Sequence, residues 1–228
     1  MMSDAIPVGD LVRCSVCPLQ VYLSRSSPEE FAEPVGYSIA KQVAAHLGEP
    51  LDPAGIWEEL QTVLPDAGPQ ERERLFEMAD TCSRTVWRSA LCTDVFVSSA
   101  KYGITGRVDR LFEDGFSIVK SSAAPSSGIY AADRLRLTAY ALCLEEEHEK
   151  PYAGSVEYLG SGTVRYLAAP SPADRRAFLA ALRRAESVFR GEVPRPVHGR
   201  HCLSCRHHER CSEASRPKSL FERLYPSR

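Results

Sequence analysis

No apolar run in this chain approaches the ~18 residues that a membrane span requires, so no bilayer-crossing helix is expected. The opening MMSDAIPVGDLVRC lacks the apolar core of a secretion signal. A cytoplasmic location is therefore the expectation, and thiols stay reduced in that compartment. Surplus charge is missing as well: 28 Lys and Arg face 30 Asp and Glu, a net charge of −2. That excludes a global attraction to nucleic acid, so any DNA contact has to come from local basic patches. No internal repeat and no low-complexity block appears. What remains is a chain of 228 residues with ordinary apolar and charged fractions, enough for one domain with a real core. Its one abundant oddity is eight cysteines. In a reducing compartment they point to metal ligands or buried residues rather than to disulfides.

The order of elements reads as helices, then strands, helix, strands, helix. Residues 1–10 form a loose lead-in. Val12 to Ser24 reads as a helix or turn-plus-helix, with Pro18 at a first helical position. Tyr37 to Leu47 has helical spacing. Asp52-Pro53 is a cap followed by proline, leading into Ile56, Trp57 and Leu60. A charged helix is expected over about Gln70 to Ala90, with Leu75, Met78, Val86 and Trp87 facing inward. Val95 to Ser99 then alternates. Tyr130 to Glu147 reads as a helix, and Ser155–Leu159 and Thr163–Ala168 as a hairpin across Gly160-Ser161-Gly162. Ser171-Pro172-Ala173-Asp174 opens a last helix that runs to about Arg190, where Gly191 stops it. The tail from Val193 looks loop-like. This predicts an α/β (α+β) protein, a mixed sheet with helices packed on it, within one domain over 1–228. Inside it fall a helical part (1–92), a core (93–170) and a C-terminal helix with a cysteine-rich segment (171–228).

Tyr102 to Ser122 carries the chemistry. Ile104, Val108 and Leu111 mark one strand, Glu113-Asp114-Gly115 a turn, and Phe116, Ile118 and Val119 a second strand. Asp109 lies on the first strand and Lys120 ends the second. A carboxylate and an ammonium in one small pocket suit metal-assisted phosphodiester hydrolysis. The acid holds a divalent cation, and the lysine serves the attacking water and the developing charge.

The strongest motif is Cys202-Leu203-Ser204-Cys205 followed by Cys211. Three thiolates need one more ligand for a tetrahedral zinc site or a cubane cluster. Cys17, before Pro18, is the best remote candidate, and if it joins, the metal staples the two ends of the chain. His198, His201, His207 and His208 offer the alternative of a Cys3His zinc site. Spacing alone leaves Zn2+ and iron–sulfur equally open. Cys82, Cys92 and Cys143 read as small core residues, and Cys14 as a fifth thiol near the cluster or a bystander.

Taken in order, these features resemble the CRISPR-associated RecB-like exonucleases, members of the PD-(D/E)XK nuclease superfamily with a four-cysteine iron–sulfur cluster. The resemblance rests on Cys17-Pro18 and on Cys202, Cys205 and Cys211. It rests also on the G-x-x-G-x-x-D hairpin at Gly103, Gly106 and Asp109, on Lys120 of an E-x-K strand, and on Tyr140 of a Q-x-x-x-Y helix. It implies a restriction-endonuclease-like core and a 4Fe–4S cluster on the four cysteines. It also implies Mg2+- or Mn2+-dependent cleavage of DNA, on single strands or ends, and CRISPR adaptation integrase proteins as partners. Asp109 would bind metal, Lys120 would serve the water, and Tyr140 would support the site.

The departures are as informative. Ile118 stands where the E of E-x-K belongs, so the second metal-binding carboxylate is absent. Arg136 stands where the Gln belongs. Fewer oxygen ligands mean weaker Mg2+ binding, so cleavage is expected to be weak or lost. Glu113, Asp114 or Asp133 would have to fill the gap. Arg136 can instead supply positive charge of its own and make a pocket that holds phosphate without cutting it. His46 lies on a plausible helix, but its context does not match the family's metal-binding histidine. Arg107 and Arg136, with Arg110, Arg134, Arg200, Arg206 and Arg210, are the basic candidates for DNA backbone contact. Each is otherwise an ordinary solvated arginine. Two further readings stay open: a catalytically inactive relative that binds DNA ends or a partner, and a zinc-stapled interaction module.

Overall fold

The computed structural model describes residues 5–26 and 34–215, apart from the side chains of 212–215. The first four residues of the lead-in and the tail beyond Ser215 lie outside them. The chain divides into two units. One is Met1–Gly9 with Glu30–Leu179, and the other is Asp10–Glu29 with Ala180–Arg228.

The first unit is built on a mixed six-stranded sheet. β1 (Ile6–Pro7), inside the expected lead-in, pairs in parallel with the start of β3 (Ile104–Leu111). β2 (Cys92–Ser99) runs antiparallel to β3 along its length. β3 also pairs antiparallel with β4 (Gly115–Lys120), but only at Arg110–Ser117 and Leu111–Phe116. β4 lies parallel to β5 (Ala153–Tyr158), and β5 antiparallel to β6 (Thr163–Leu167). Gly115 to Val119 are all buried, as a strand covered on both faces should be.

Helices flank this sheet. α3 (Val35–Ala45), α4 (Pro53–Val63) and α5 (Pro69–Ser83) share an apolar cluster that includes Ile39, Val43, Leu60, Leu75 and, from β4, Val119. Asp52 caps α4 by accepting from Ala54 N at 3.1 Å, with Pro53 at the first position. α6 (Ala131–His148) is buried along most of its length. α7 (Pro172–Phe189) begins as expected, with Ser171 Oγ accepting from Asp174 N at 3.2 Å.

α5 is shorter than its periodicity predicts. It ends at Ser83 because Cys82 O accepts from Thr85 N at 3.0 Å and from Trp87 Nε1 at 2.7 Å, while Thr85 Oγ1 donates to Gly162 O. Bonds to the β5–β6 turn thus replace another helical turn, and Val86, expected inward, is 98% exposed. Cys92 is likewise exposed at the start of β2, whereas Cys82 and Cys143 are buried as expected.

In the second unit the expected helix over Val12–Ser24 is two. α1 (Val8–Val16, entering this unit at Asp10) closes with Cys17 N donating to Arg13 O, and α2 (Pro18–Ser26) restarts on Pro18, which has no N–H to continue the first ladder. The tail is less loop-like than expected. Arg200–Ser204 forms a 3₁₀ turn and His208–Ser215 forms α8. Tertiary packing accounts for this, since Cys211 sits against the cluster of Cys17, Leu19 and Leu23.

Candidate active site

The β3–β4 ladder ends early, and the site opens where it ends. After the Arg110–Ser117 pair the strands no longer exchange backbone bonds. Asp109 spans the opening, its Oδ2 accepting from Val119 N at 2.7 Å. Two glycines shape the approach. Gly103 has a φ of +60°, a turn conformation that favours glycine. Gly106 lets the Tyr140 ring lie against β3, because a Cβ there would stand 2.5 Å from Tyr140 Cε1. Tyr140 is buried and meets Phe116 edge-on at 6.3 Å.

A cavity of about 290 Å3 results. Asp109, Lys120 and Tyr140 line it, together with Arg107 and Arg136 and with Tyr37, Ile118 and Val119. The fold thus brings the five polar residues singled out from the sequence to one place. Arg136 stands one helical turn from Tyr140, where its charge partly offsets the effect of burial on the hydroxyl, and among the described residues its buried Nε has no hydrogen-bond partner. Arg107 is held by Asp94 at 2.9 Å. Lys120 Nζ lies 3.1 Å from Asp133 Oδ1, and Tyr158 OH donates to Asp133 Oδ2 at 2.9 Å. Burial drives the Asp109 carboxyl above the usual carboxylate range. The Val119 N–H and then Lys41, Arg136 and Lys120 pull it back only in part. Burial also raises the Tyr140 hydroxyl.

None of the three acids considered as substitutes lines this cavity. Asp133 is committed to Lys120 and Tyr158, Asp114 is held by Arg88 at 2.5 Å, and Glu113 is exposed in the turn. His46 bonds Glu59 at 2.8 Å and is not part of the lining. Two of the arginines considered for DNA contact have structural work instead. Arg110 is 1% exposed, bound to Glu157 at 2.7 Å and to Leu47 O. Arg134 makes a two-pronged pair with Asp174 at 2.6 and 2.9 Å. Tyr37 and Lys41, one turn apart on α3, escaped the sequence reading. Nothing in their spacing distinguishes them from any other helical pair.

Nucleases of this fold type work with divalent metals such as Mg2+ or Mn2+. The lining does not fit such an ion. Hard cations need several oxygen ligands, yet the cavity offers one carboxylate, raised by burial, beside three cationic side chains. Among the described residues no group of three or more His, Cys, Asp or Glu is placed to hold a metal ion.

The four motif cysteines are all in the second unit, and no disulfide joins them. Cys17 and Cys211 belong to one apolar cluster around α2. Gln20, on the same helix, donates from Nε2 to Cys205 Sγ at 3.2 Å. Cys202 Sγ accepts from Gly199 N at 3.4 Å. Three of the four thiols thus neighbour α2, and soft sulfur is the donor type that suits zinc or an iron–sulfur cluster, but the four are not gathered as ligands of one ion among the described residues. Cys14 is different: buried, with its thiol pushed up to about 12 by burial, it is a core residue.

Comparison with known proteins agrees with this geometry. The chain is similar over 99% of its length to a crystal structure from Eubacterium rectale described as a putative exonuclease. The TM-score is 0.62 at 12% identity, with 94% of that chain covered, which establishes a shared fold. No curated protein matches the chain. A profile of the PD-(D/E)XK nuclease superfamily matches residues 28–212. With the splayed β3–β4 pair, Asp109 and Lys120 at its mouth and helices on the mixed sheet, the chain belongs to the PD-(D/E)XK nuclease superfamily.

Proposed function

We propose that this protein engages DNA phosphodiesters, on single strands or at ends, in the Asp109 cavity, and that its metal-dependent hydrolysis of them is weak or lost. One observation carries the reading. The cavity presents Arg107, Lys120 and Arg136 with a single carboxylate, and an apolar Ile118 where a second acid would complete a cation site. The guanidinium of Arg136 can donate to non-bridging phosphate oxygens. Lys120, fixed by Asp133, adds a positioned ammonium. Asp109, shifted towards its neutral form, repels phosphate less than an ionised acid would. Tyr140 supports Arg136. In the setting that the resemblance implies, such a protein would hold DNA ends for a CRISPR adaptation integrase.

The four cysteines are read as the ligands of an iron–sulfur cluster, 4Fe–4S, that joins α2 to the C-terminal segment. The shared apolar cluster of Cys17 and Cys211 and the Gln20 bond to Cys205 support this, while the four thiols are not drawn into one ligand group among the described residues. When bound, the cluster supplies a crosslink between distant parts of the chain. Anaerobically purified protein should contain iron and acid-labile sulfide. Stoichiometric zinc without iron would favour the zinc-stapled alternative.

The test of the cavity is binding and cleavage of end-labelled single-stranded DNA with Mn2+. The parent is compared with Asp109→Asn, with Arg136→Gln and with Lys120→Ala. Binding that weakens in Arg136→Gln and Lys120→Ala, with little cleavage by the parent, is expected. Rapid Mn2+-dependent cleavage that Asp109→Asn abolishes would show that Ile118 is no obstacle.

A further inference from the structure

The two units carry opposite charge. The unit of Asp10–Glu29 and Ala180–Arg228 holds thirteen Lys and Arg against seven Asp and Glu, a net charge of +6. The sheet unit holds fifteen against twenty-three, a net charge of −8. A net charge of −2 for the whole chain hides this separation. The cations are also used differently. In the sheet unit seven of them, Arg110, Arg134 and Arg175 among them, sit in ion pairs. In the cysteine-bearing unit Arg13 and Arg190 are paired, whereas Arg183, Arg184, Arg195 and Arg200 make no ion pair among the described residues.

Two of these arginines share a cavity. Arg183 and Arg184, both exposed on α7, line a space of about 410 Å3 with Ser187 one turn further on, over Ala180, Pro18 and Pro194. No carboxylate lines it. Glu186, the nearest acid in sequence, is not among the lining residues, and Glu192 is taken up by Ser187 Oγ and by Arg190. The floor is small and apolar. Among the described lining residues the charged donors are the two guanidiniums. Arginine forks match the oxygens of a phosphate, and an apolar floor suits the sugar that carries it.

We infer that the cysteine-bearing unit carries a second nucleic-acid contact, a sequence-independent backbone site on the Arg183–Arg184 face of α7. A polyanion is the partner that a net charge of +6 with unpaired arginines fits. A chain of the nuclease superfamily makes nucleic acid the polyanion in question. The site shares no residue with the Asp109 cavity and does not depend on the reading of that cavity.

The test is the affinity of the full-length protein, as purified with its metal, for a labelled single-stranded oligonucleotide over a range of salt. Arg183→Glu with Arg184→Glu should weaken binding about tenfold at low salt. It should also lower the slope of log K against log salt by roughly 1.4, since each phosphate contact on single strands contributes ~0.7. Arg84→Glu, at an exposed arginine just after α5 in the sheet unit, should change neither. Should the double reversal impair folding by circular dichroism, Arg183→Gln with Arg184→Gln gives the same slope change without added acid. An unchanged slope in folded double variants, or an equal loss in Arg84→Glu, overturns the site. So does parent protein that binds phosphatidylserine vesicles and not the oligonucleotide. Failure of the Asp109 cavity reading would appear separately, as unchanged binding in Arg136→Gln and Lys120→Ala, and would leave this slope change intact.

Discussion

The sheet unit and the cysteine-bearing unit keep their thiols under different physical rules. In the sheet unit Cys82 and Cys143 are fully buried, and burial pushes both up to about 12, so they behave as small apolar residues. In the other unit Cys202, Cys205 and Cys211 stay half-buried on a 3₁₀ turn and a short helix, with Leu203 beside them 92% exposed. The first unit has a six-stranded sheet and a helix-covered core to hold it. The second is smaller and carries a net charge of +6. A unit this small commonly gains from a crosslink or a metal. Cys14, buried in the second unit, and Cys92, exposed in the first, depart from the contrast, which therefore belongs to Cys82 and Cys143 on one side and to the three C-terminal cysteines on the other.

Four experiments would break or sharpen this contrast. The largest effect should come from stripping the cysteine centre, by chelation or by Cys202→Ala. A structural metal contributes its binding free energy to folding, apparent values being about 10 kcal/mol or more for structural zinc. Limited proteolysis should then cut within residues 10–29 and 180–228 while the sheet unit survives. Digestion that spreads evenly over both units would erase the distinction.

Next in size is Arg110→Ala in the sheet unit. It leaves Glu157 buried with no counter-charge, at a cost of about 3–5 kcal/mol in urea unfolding. Arg110→Met with Glu157→Leu should recover most of that loss. A single variant as stable as the parent would mean that the buried pair contributes nothing.

Ile118→Glu is expected to cost about 2 kcal/mol, because it buries an acid at a position only 1% exposed. Mn2+ should restore the loss as a rise in Tm, since a ligand that binds only the folded state stabilises it. The parent should show no such rise. A parent that gains Tm with Mn2+ at this site, abolished by Asp109→Asn, would contradict the poor fit of its cavity to a cation.

The smallest effect is on pH dependence. Burial holds Asp109 above its ordinary range, so ionising it costs the folded state. That cost is absent below the unfolded carboxylate range, grows as pH rises towards the elevated folded value, and is complete above it. Asp109→Asn keeps an oxygen for Val119 N–H and removes the charge. Its stability relative to the parent should therefore increase from acid to neutral pH. A constant difference across that range would mean that Asp109 ionises without penalty.

Much of this architecture is legible in the chain because the relevant forces are local. Asp52-Pro53, Ser171-Pro172 and Pro18 mark helix starts through capping and through a missing N–H, and each starts a helix where expected. The hairpin from Ile104 to Lys120 follows from alternation and from the turn at Gly115. Misreadings arise where distant partners decide. The end of α5 depends on Gly162, seventy-seven residues from Thr85. The helix in the tail depends on Cys17 and Leu23. At the site, Asp109, Lys120, Tyr140, Arg107 and Arg136 were visible through motif spacing. Tyr37 and Lys41 arrive from a helix whose sequence carries no sign of it. The commitment of Asp133 to Lys120 and Tyr158 is a tertiary fact that helix-opening preference conceals.

The bond from Val119 N–H to Asp109 gives that acid a task unrelated to bond cleavage. Where β3 and β4 part, it satisfies a buried backbone donor that would otherwise go unpaired, at a cost of about 1–3 kcal/mol. Selection for a stable sheet would therefore preserve an oxygen acceptor at this position after catalytic demand had ceased. A lineage losing its chemistry would be expected to shed the neighbouring acid first and this one last.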